Sequence, residues 1–358
     1  MHYYIHIPFC VSRCAYCDFF STTLLERRDE YVNALLREIS MRQDGEASTI
    51  YFGGGTPSLL SPQAINRILT AIPIDNRNIE ITLEANPGDL TPDKLQALRR
   101  AGINRLSIGI QSFQDTLLRR IGRRHNALQA LQAVQTAQAA GFGNISIDLI
   151  YGLPRQTVPQ WQQDIETALR LNVRHLSCYC LSYEQGTPLT RLLEQGKITE
   201  QDEDTLNRMY DCLCDRLQQA GFVHYEVSNF ALPGYHSRHN SSYWTDESYI
   251  GLGAGAHSYD AKQRIRSWNI TDLNRYIAAI SKGIRPCEQE TLTDEQHRLE
   301  RIMLGLRTSE GIDKSLLHPA PSSQPAYLSQ GLLRDTGTRY VVTREGIPLL
   351  NRIIADII

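Results

Sequence analysis

The sequence predicts an α/β fold: an incomplete (β/α)6 barrel over residues 1–230, a connecting segment over 231–290, and a small, mostly helical, winged-helix-like domain over 291–358. Three observations predict it. Apolar, β-branched runs alternate with amphipathic helical stretches through the first two-thirds of the chain, the pattern of a parallel sheet. Polar and glycine residues gather where those strands end, which is where α/β folds place their sites. From about Leu292 the pattern changes to helix, hairpin and helix.

In chain order, strands are expected at 3–8, 49–52, 79–85, 105–111, 145–150 and 175–181. Their apolar character is nearly continuous, as suits strands covered on both faces. Ser61-Pro62 and Thr91-Pro92 each pair an N-cap residue with Pro at the first helical position. Ala101-Gly102 and Ala140-Gly141 set Gly just past a helix end, where a left-handed cap costs least. Right-handed crossovers then curl six repeats into an open barrel. Beyond 292, Gly331-Leu332-Leu333 leads to a strand at 339–342 and a last helix over 343–357, with a loop at 319–325. The terminal module is expected to cap the barrel mouth.

At 358 residues with 41% hydrophobic and 21% charged side chains, the chain suits about two globular domains, and its longest apolar runs are too short for a membrane span. No signal or transit peptide is read at the start, so the expected location is the cytoplasm. A formal charge of −2 offers no footprint for a phosphate backbone, which argues against a nucleic-acid partner. Eight cysteines, unevenly spread, suit thiols and metal ligands rather than a disulfide framework.

Cys10, Cys14 and Cys17 form a CxxxCxxC run. A closed zinc site needs a fourth ligand and paired spacing, neither of which is present. Three thiolates can hold three irons of a [4Fe–4S] cluster and leave the fourth open to a small molecule. The alternative is three small buried hydrophobes. Tyr16, Phe19 and Phe20 would shield a cluster from water. After the second strand comes Gly53-Gly54-Gly55-Thr56-Pro57, after the third Glu84-Ala85-Asn86-Pro87, and on the fourth Gln111-Ser112-Phe113; the fifth carries Asp148. The glycines mark either a tight turn or a backbone that a ligand approaches closely. Glu84 and Asp148 suit cation or ribose binding, or else caps and surface pairs. Arg123 can hold a carboxylate by its fork, and Arg124 is an equal candidate for a solvated charge. Cys178 and Cys180 share a strand face, Cys212 and Cys214 share no helix face, and all four read as packing, with Cys180 able to reach the pocket.

With the CxxxCxxC spacing and Tyr16 before its third cysteine, the chain resembles the radical SAM enzymes, in which S-adenosylmethionine (SAM) chelates the open iron of a [4Fe–4S] cluster. HIPFC, CxxxCxxCDFF, GGGTP, LEANP, LSIGIQSF and IDLIYGLP resemble the oxygen-independent coproporphyrinogen III oxidase family over nearly the whole chain. The resemblance implies that Tyr4, Gly54 and Glu84 contact the cluster-bound SAM. Gly55, Thr56, Gln111, Arg123 and Asp148 match positions that serve a second cofactor molecule in the oxidase. Phe19 stands where the oxidase has a further cysteine, and the oxidase's N-terminal extension has no counterpart. His239-Asn240-Ser241-Ser242-Tyr243-Trp244 instead fits the HNxxYW pattern of the HemW-type heme chaperone branch. That resemblance implies a protein that binds heme and delivers it to an acceptor, with the oxidase as the alternative activity. His239 is the expected heme ligand, with His236 and His257 as rivals. The resemblance also leaves room for a homodimer and for peripheral contact with a membrane-bound acceptor.

Overall fold

In the computed structural model, which describes residues 1–42, 45–74, 78–317 and 321–358, the six expected strands form where the apolar runs lie. They are β1 (His2–Ile7), β2 (Thr49–Gly54), β3 (Glu80–Ala85), β4 (Arg105–Gln111), β5 (Asn144–Tyr151) and β6 (His175–Cys180). They pair in sequence order and in parallel, His2 beside Thr49, Thr49 beside Glu80, Thr82 beside Arg105, Arg105 beside Asn144, and Ser146 beside His175. The start signals work as expected: Ser61 accepts from Ala64 N at 3.1 Å and Thr91 from Lys94 N at 3.4 Å. At the stops, Gly102 and Gly141 take φ of 111° and 88°. The crossover helices Arg28–Met41, Pro62–Ala71, Pro92–Ala101, Ala127–Ala139 and Val158–Arg170 bury Leu35, Ile65, Leu98, Val134 and Ile165 against the sheet.

The sheet does not stop at six strands. After β7 (Val223–Glu226) and β8 (Asn229–Ala231), residues 231–290 supply β9 (Tyr249–Leu252), β10 (His257–Asp260), β11 (Ile265–Asn269) and β12 (Cys287–Thr291). The order is β12-β11-β10-β9-β1-β2-β3-β4-β5-β6-β8-β7, so the stretch expected to be a connector extends the barrel wall beyond β1. The physical cause is a buried carboxylate. Glu38, fully buried on helix Arg28–Met41, accepts from Gly253 N at 2.7 Å, Asn269 Nδ2 at 2.7 Å and Tyr276 OH at 2.6 Å. Charge-assisted bonds of this kind contribute about 1.5–3 kcal/mol each. Tyr31 adds a second tie, donating to His6 O at 2.7 Å while accepting from Ala254 N at 3.1 Å.

The C-terminal domain has its own core of Ile302, Leu306, Ile312, Leu333, Val342 and Ile353. Helix Asp294–Gly305 is followed by β13 (Ile312–Asp313), β14 (Leu333–Asp335) and β15 (Arg339–Val342) in the order β13-β15-β14. Two expectations change here. The last α-helix runs Leu350–Ile357, because Thr343 to Gly346 make a turn and Ile347–Leu349 form a 3-10 turn in which Pro348 has no amide to donate. The loop expected over 319–325 lies partly outside the described residues, and helix Gln324–Ser329 takes up its end. Among the described residues, no helix is long and apolar enough to cross a membrane.

Candidate functional site

The carboxyl ends of β1 to β6 converge on one cavity of about 510 Å³, whose lining residues all fall between Cys10 and Glu184. The sheet must curl for all six strand ends to meet. Cys10, Cys14, Tyr16, Cys17, Gly54, Gly55, Thr56, Glu84, Gln111, Arg123 and Asp148 all line this cavity, whereas Tyr4, Gly53, Phe20, His239 and its rivals His236 and His257 do not. Among the described residues the C-terminal domain contributes nothing to its lining, which corrects the expectation that this domain caps the mouth. It docks instead on the flank, where Val227 N donates to Arg307 O at 2.8 Å and Arg344 pairs with Asp215 at 2.5 Å and Asp211 at 3.1 Å.

The cysteine loop is held by backbone bonds at both ends. Cys10 N donates to Thr22 O at 2.9 Å, Ala15 N to Ile121 O at 3.0 Å, and Leu189 N to Ala15 O at 2.9 Å. Tyr16 packs beneath it on Leu117, Ile121, Ile150 and Leu153. Cys10 Sγ lies 3.5 Å from Thr56 Oγ1, and Arg123 Nη1 donates to Cys14 Sγ at 3.3 Å while its Nη2 bonds Gly109 O. Burial, then the neighbouring Cys14 and Cys10, push the Cys17 thiol up, so all three sulfurs share one neighbourhood.

Opposite them the glycine run is forced by space. A Cβ on Gly55 would sit 2.8 Å from Pro8 C and 2.9 Å from Phe9 O, and Gly54, at φ 108°, would strike the His6 ring at 2.5 Å. Glu84 accepts from Tyr51 OH at 2.9 Å and Gly54 N at 3.2 Å. Burial and the nearby Asp148 raise its pKa to about 7. Asp148 accepts from Ser107 Oγ at 3.0 Å and is raised by burial too. Gln111 takes φ 72°, rare for a side-chain-bearing residue, at an irregularity in the β4–β5 register. Such strain persists where the surroundings over-determine it, and function is one reason they do.

This donor set suits a [4Fe–4S] cluster with SAM. Among the described residues no three His, Cys, Asp or Glu side chains close on a single-ion position, while three thiols line one cavity. Two carboxylates are buried here and Asp148 adds to the upward push on Glu84, a pairing that favours a cationic ligand, and Arg123 Nε is buried without a hydrogen-bond partner. Tyr4 stands behind the cavity, stacked on Tyr51 at 6.2 Å, with its ring 2.8 Å from where a Gly53 Cβ would be. Its support of the glycine run is indirect. Asn86, expected in the run after the third strand, lines the wall, as do Ser107, Gly109, Tyr179 and Glu184, which sequence reasoning did not single out. Their strand-end positions are the signal that could have found them. Cys180 does reach the cavity, whereas Cys178 is buried.

His239 is the main correction. It is fully buried at the opposite end of the barrel, where β2 and β3 begin. Its Nδ1 bonds Thr49 Oγ1 at 2.7 Å, its Nε2 bonds Tyr243 OH at 2.9 Å, and its ring stacks on Tyr51 at 5.0 Å. The cause is helix Arg238–Trp244, whose first amides are captured by the Glu80 carboxylate: Arg238 N at 3.1 Å and His239 N at 3.0 Å. His239 therefore plugs the barrel floor and offers no nitrogen to a heme iron.

Comparison with known proteins agrees with this architecture. The Radical SAM superfamily model matches residues 4–168 and the HemN C-terminal domain model residues 292–349. The chain is similar to the heme chaperone HemW of Lactococcus lactis subsp. lactis, 40% identical over 314 residues, covering 86% of this chain and 82% of that one. It is also similar to the heme chaperone HemW of Bacillus subtilis, 36% identical over 372 residues, covering 98% and 97%. The coproporphyrinogen III oxidase HemN of Escherichia coli, a radical SAM enzyme, superposes with a TM-score of 0.83 at 23% identity, over 99% of this chain and 89% of that chain. That last likeness establishes a shared fold.

Proposed function

The chain belongs to the HemW family of radical SAM proteins, and from that premise we propose that it is a cytoplasmic heme chaperone, binding heme and passing it to an acceptor protein. The observation that carries the reading is likeness to named heme chaperones over almost the full length of both chains. Phe19 supports it: 64% exposed at the mouth, it stands where the oxidase branch has a cysteine. Homodimerisation and peripheral contact with a membrane-bound acceptor rest on the family resemblance, and sedimentation velocity tests the first.

Within this proposal Cys10, Cys14 and Cys17 hold a [4Fe–4S] cluster, and Glu84 with Gly54 holds SAM. Bound there, cluster and SAM supply one-electron chemistry at an iron with an open position. The chain's own part is to hold, orient and shield. Arg123 donates to Cys14 Sγ and so places a fixed positive charge beside one of the three ligand sulfurs. Glu84 and Asp148 offer acceptors to an ammonium or to ribose hydroxyls. Tyr16 and its apolar backing keep water from the loop.

The test is to reconstitute the cluster anaerobically, then supply heme and, separately, coproporphyrinogen III with reductant and SAM. Stoichiometric heme binding and delivery to an apo-heme protein, without release of carbon dioxide, is the expected result. Decarboxylation with heme bound no better than to an unrelated protein would select the oxidase.

A further inference from the structure

Resting on the chaperone reading, we infer that heme binds in a second cleft, between residues 225–246 and the C-terminal domain, with His236 as an axial iron ligand and Arg301 facing a propionate. Among the described residues no histidine lines the mouth cavity. The second cleft measures about 490 Å³, within the usual range of small-molecule sites. Tyr225, His236 and Trp244 line its barrel side and Leu304, Ile312 and Leu316 its other wall. Apolar and aromatic walls with one imidazole are what a porphyrin face and its iron require.

A comparison of the histidines singles out His236. Of the described ones, His2, His6, His125, His175, His224, His239 and His297 each spend at least one ring nitrogen on a hydrogen bond. His236 and His257 spend none. His257 stacks on Trp268 at 6.1 Å out on β10, whereas His236 lines the cleft. Its ring lies flat on Tyr225, with centroids 4.2 Å apart and planes 9° apart. Tyr225 is itself fixed, bonding His175 Nε2 at 2.7 Å and accepting from Ser237 N at 3.2 Å. The stack on this fixed ring sets the plane of the imidazole and leaves both of its nitrogens free. Partial desolvation by the cleft wall also holds the His236 pKa below its ordinary value, which leaves a neutral ring with a free lone pair at pH 7.

Polar groups in the cleft also lack partners. Arg301 forms no ion pair or hydrogen bond among the described residues, so its fork is available to a carboxylate. Glu226 is buried, its Oε1 has no hydrogen-bond partner, and burial raises its pKa to about 7. Asp246, by contrast, already has hydrogen-bond partners in Tyr259 OH at 2.8 Å and His297 Nε2 at 2.8 Å.

The test is heme titration of the cluster-reconstituted protein, followed at the Soret band, for wild type, His236→Ala, His257→Ala and Arg301→Glu. Expected are a shifted Soret maximum and roughly tenfold or greater loss of affinity for His236→Ala, weaker binding with an unmoved maximum for Arg301→Glu, and wild-type behaviour for His257→Ala. His236 is exposed, so folding should survive its removal, and an unchanged thermal midpoint confirms it. Wild-type protein that binds heme while His236→Ala and Arg301→Glu match it in position and affinity overturns the cleft and leaves the chaperone reading standing. Wild-type protein that binds no heme overturns that reading itself.

Discussion

The two ends of this barrel teach different lessons about how a site is built. At the mouth, each functional group sits in or just after the carboxyl-terminal half of the strand that carries it, so Cys10, Gly54, Glu84, Gln111 and Asp148 are brought together by the first five parallel strands. At the floor, the groups come from unrelated stretches. Glu80 of β3 captures helix Arg238–Trp244, and the C-terminal domain closes on the other side to leave the second cleft. The mouth follows from local sequence plus one topological rule. The floor depends on contacts between residues more than 150 positions apart.

The comparison breaks most sharply if the ends are chemically linked. Replacing Cys10, Cys14 and Cys17 together with Ala should abolish iron–sulfur absorbance completely and leave the heme Soret band and affinity unchanged. Parallel loss of both in a folded protein would show one shared site.

Next in size is His239→Ala, which removes a buried ring and two hydrogen bonds from the floor. A loss of about 2–4 kcal/mol in unfolding free energy is expected, from cavity and unpaired polar groups combined. Chemical denaturation measures it. The Soret position of bound heme should stay put, and a shift would restore His239 as a ligand.

Glu84→Gln keeps the shape of the mouth and removes its charge. SAM affinity should fall roughly 10- to 100-fold, the counterpart of a charge-assisted bond of about 1.5–3 kcal/mol. Calorimetry should show heme affinity untouched.

The smallest effect is one of pH. Because Glu84 titrates at about 7 in the free protein, SAM affinity should drop about tenfold from pH 8 to pH 6, as the carboxylate becomes protonated. Glu84→Gln should flatten that dependence. Stability of the cofactor-free protein runs the other way for this group: its folded pKa is raised, so its contribution is full below about 4.5 and declines as pH rises through 7.

What was legible in the sequence divides along the same line. Strands β1 to β6 show as apolar runs between readable caps, and the cysteine spacing with the strand-end residues marks most of the mouth. β9 to β12 do not show, because they are four or five residues long, β9 to β11 mixed in burial and β12 exposed throughout, and Glu38 ties this region to the barrel from over 200 positions away. The HNxxYW pattern is visible, but the buried setting of His239 is decided by Glu80, which nothing near the motif announces. The docking of the C-terminal domain rests likewise on Arg344 meeting Asp211 and Asp215.

The separation of the two sites is tested most directly by titrating heme into cluster-reconstituted protein with and without saturating SAM. Independent sites predict one equivalent of heme bound with the same affinity and the same Soret maximum in both titrations. Displacement of either ligand by the other would contradict the account.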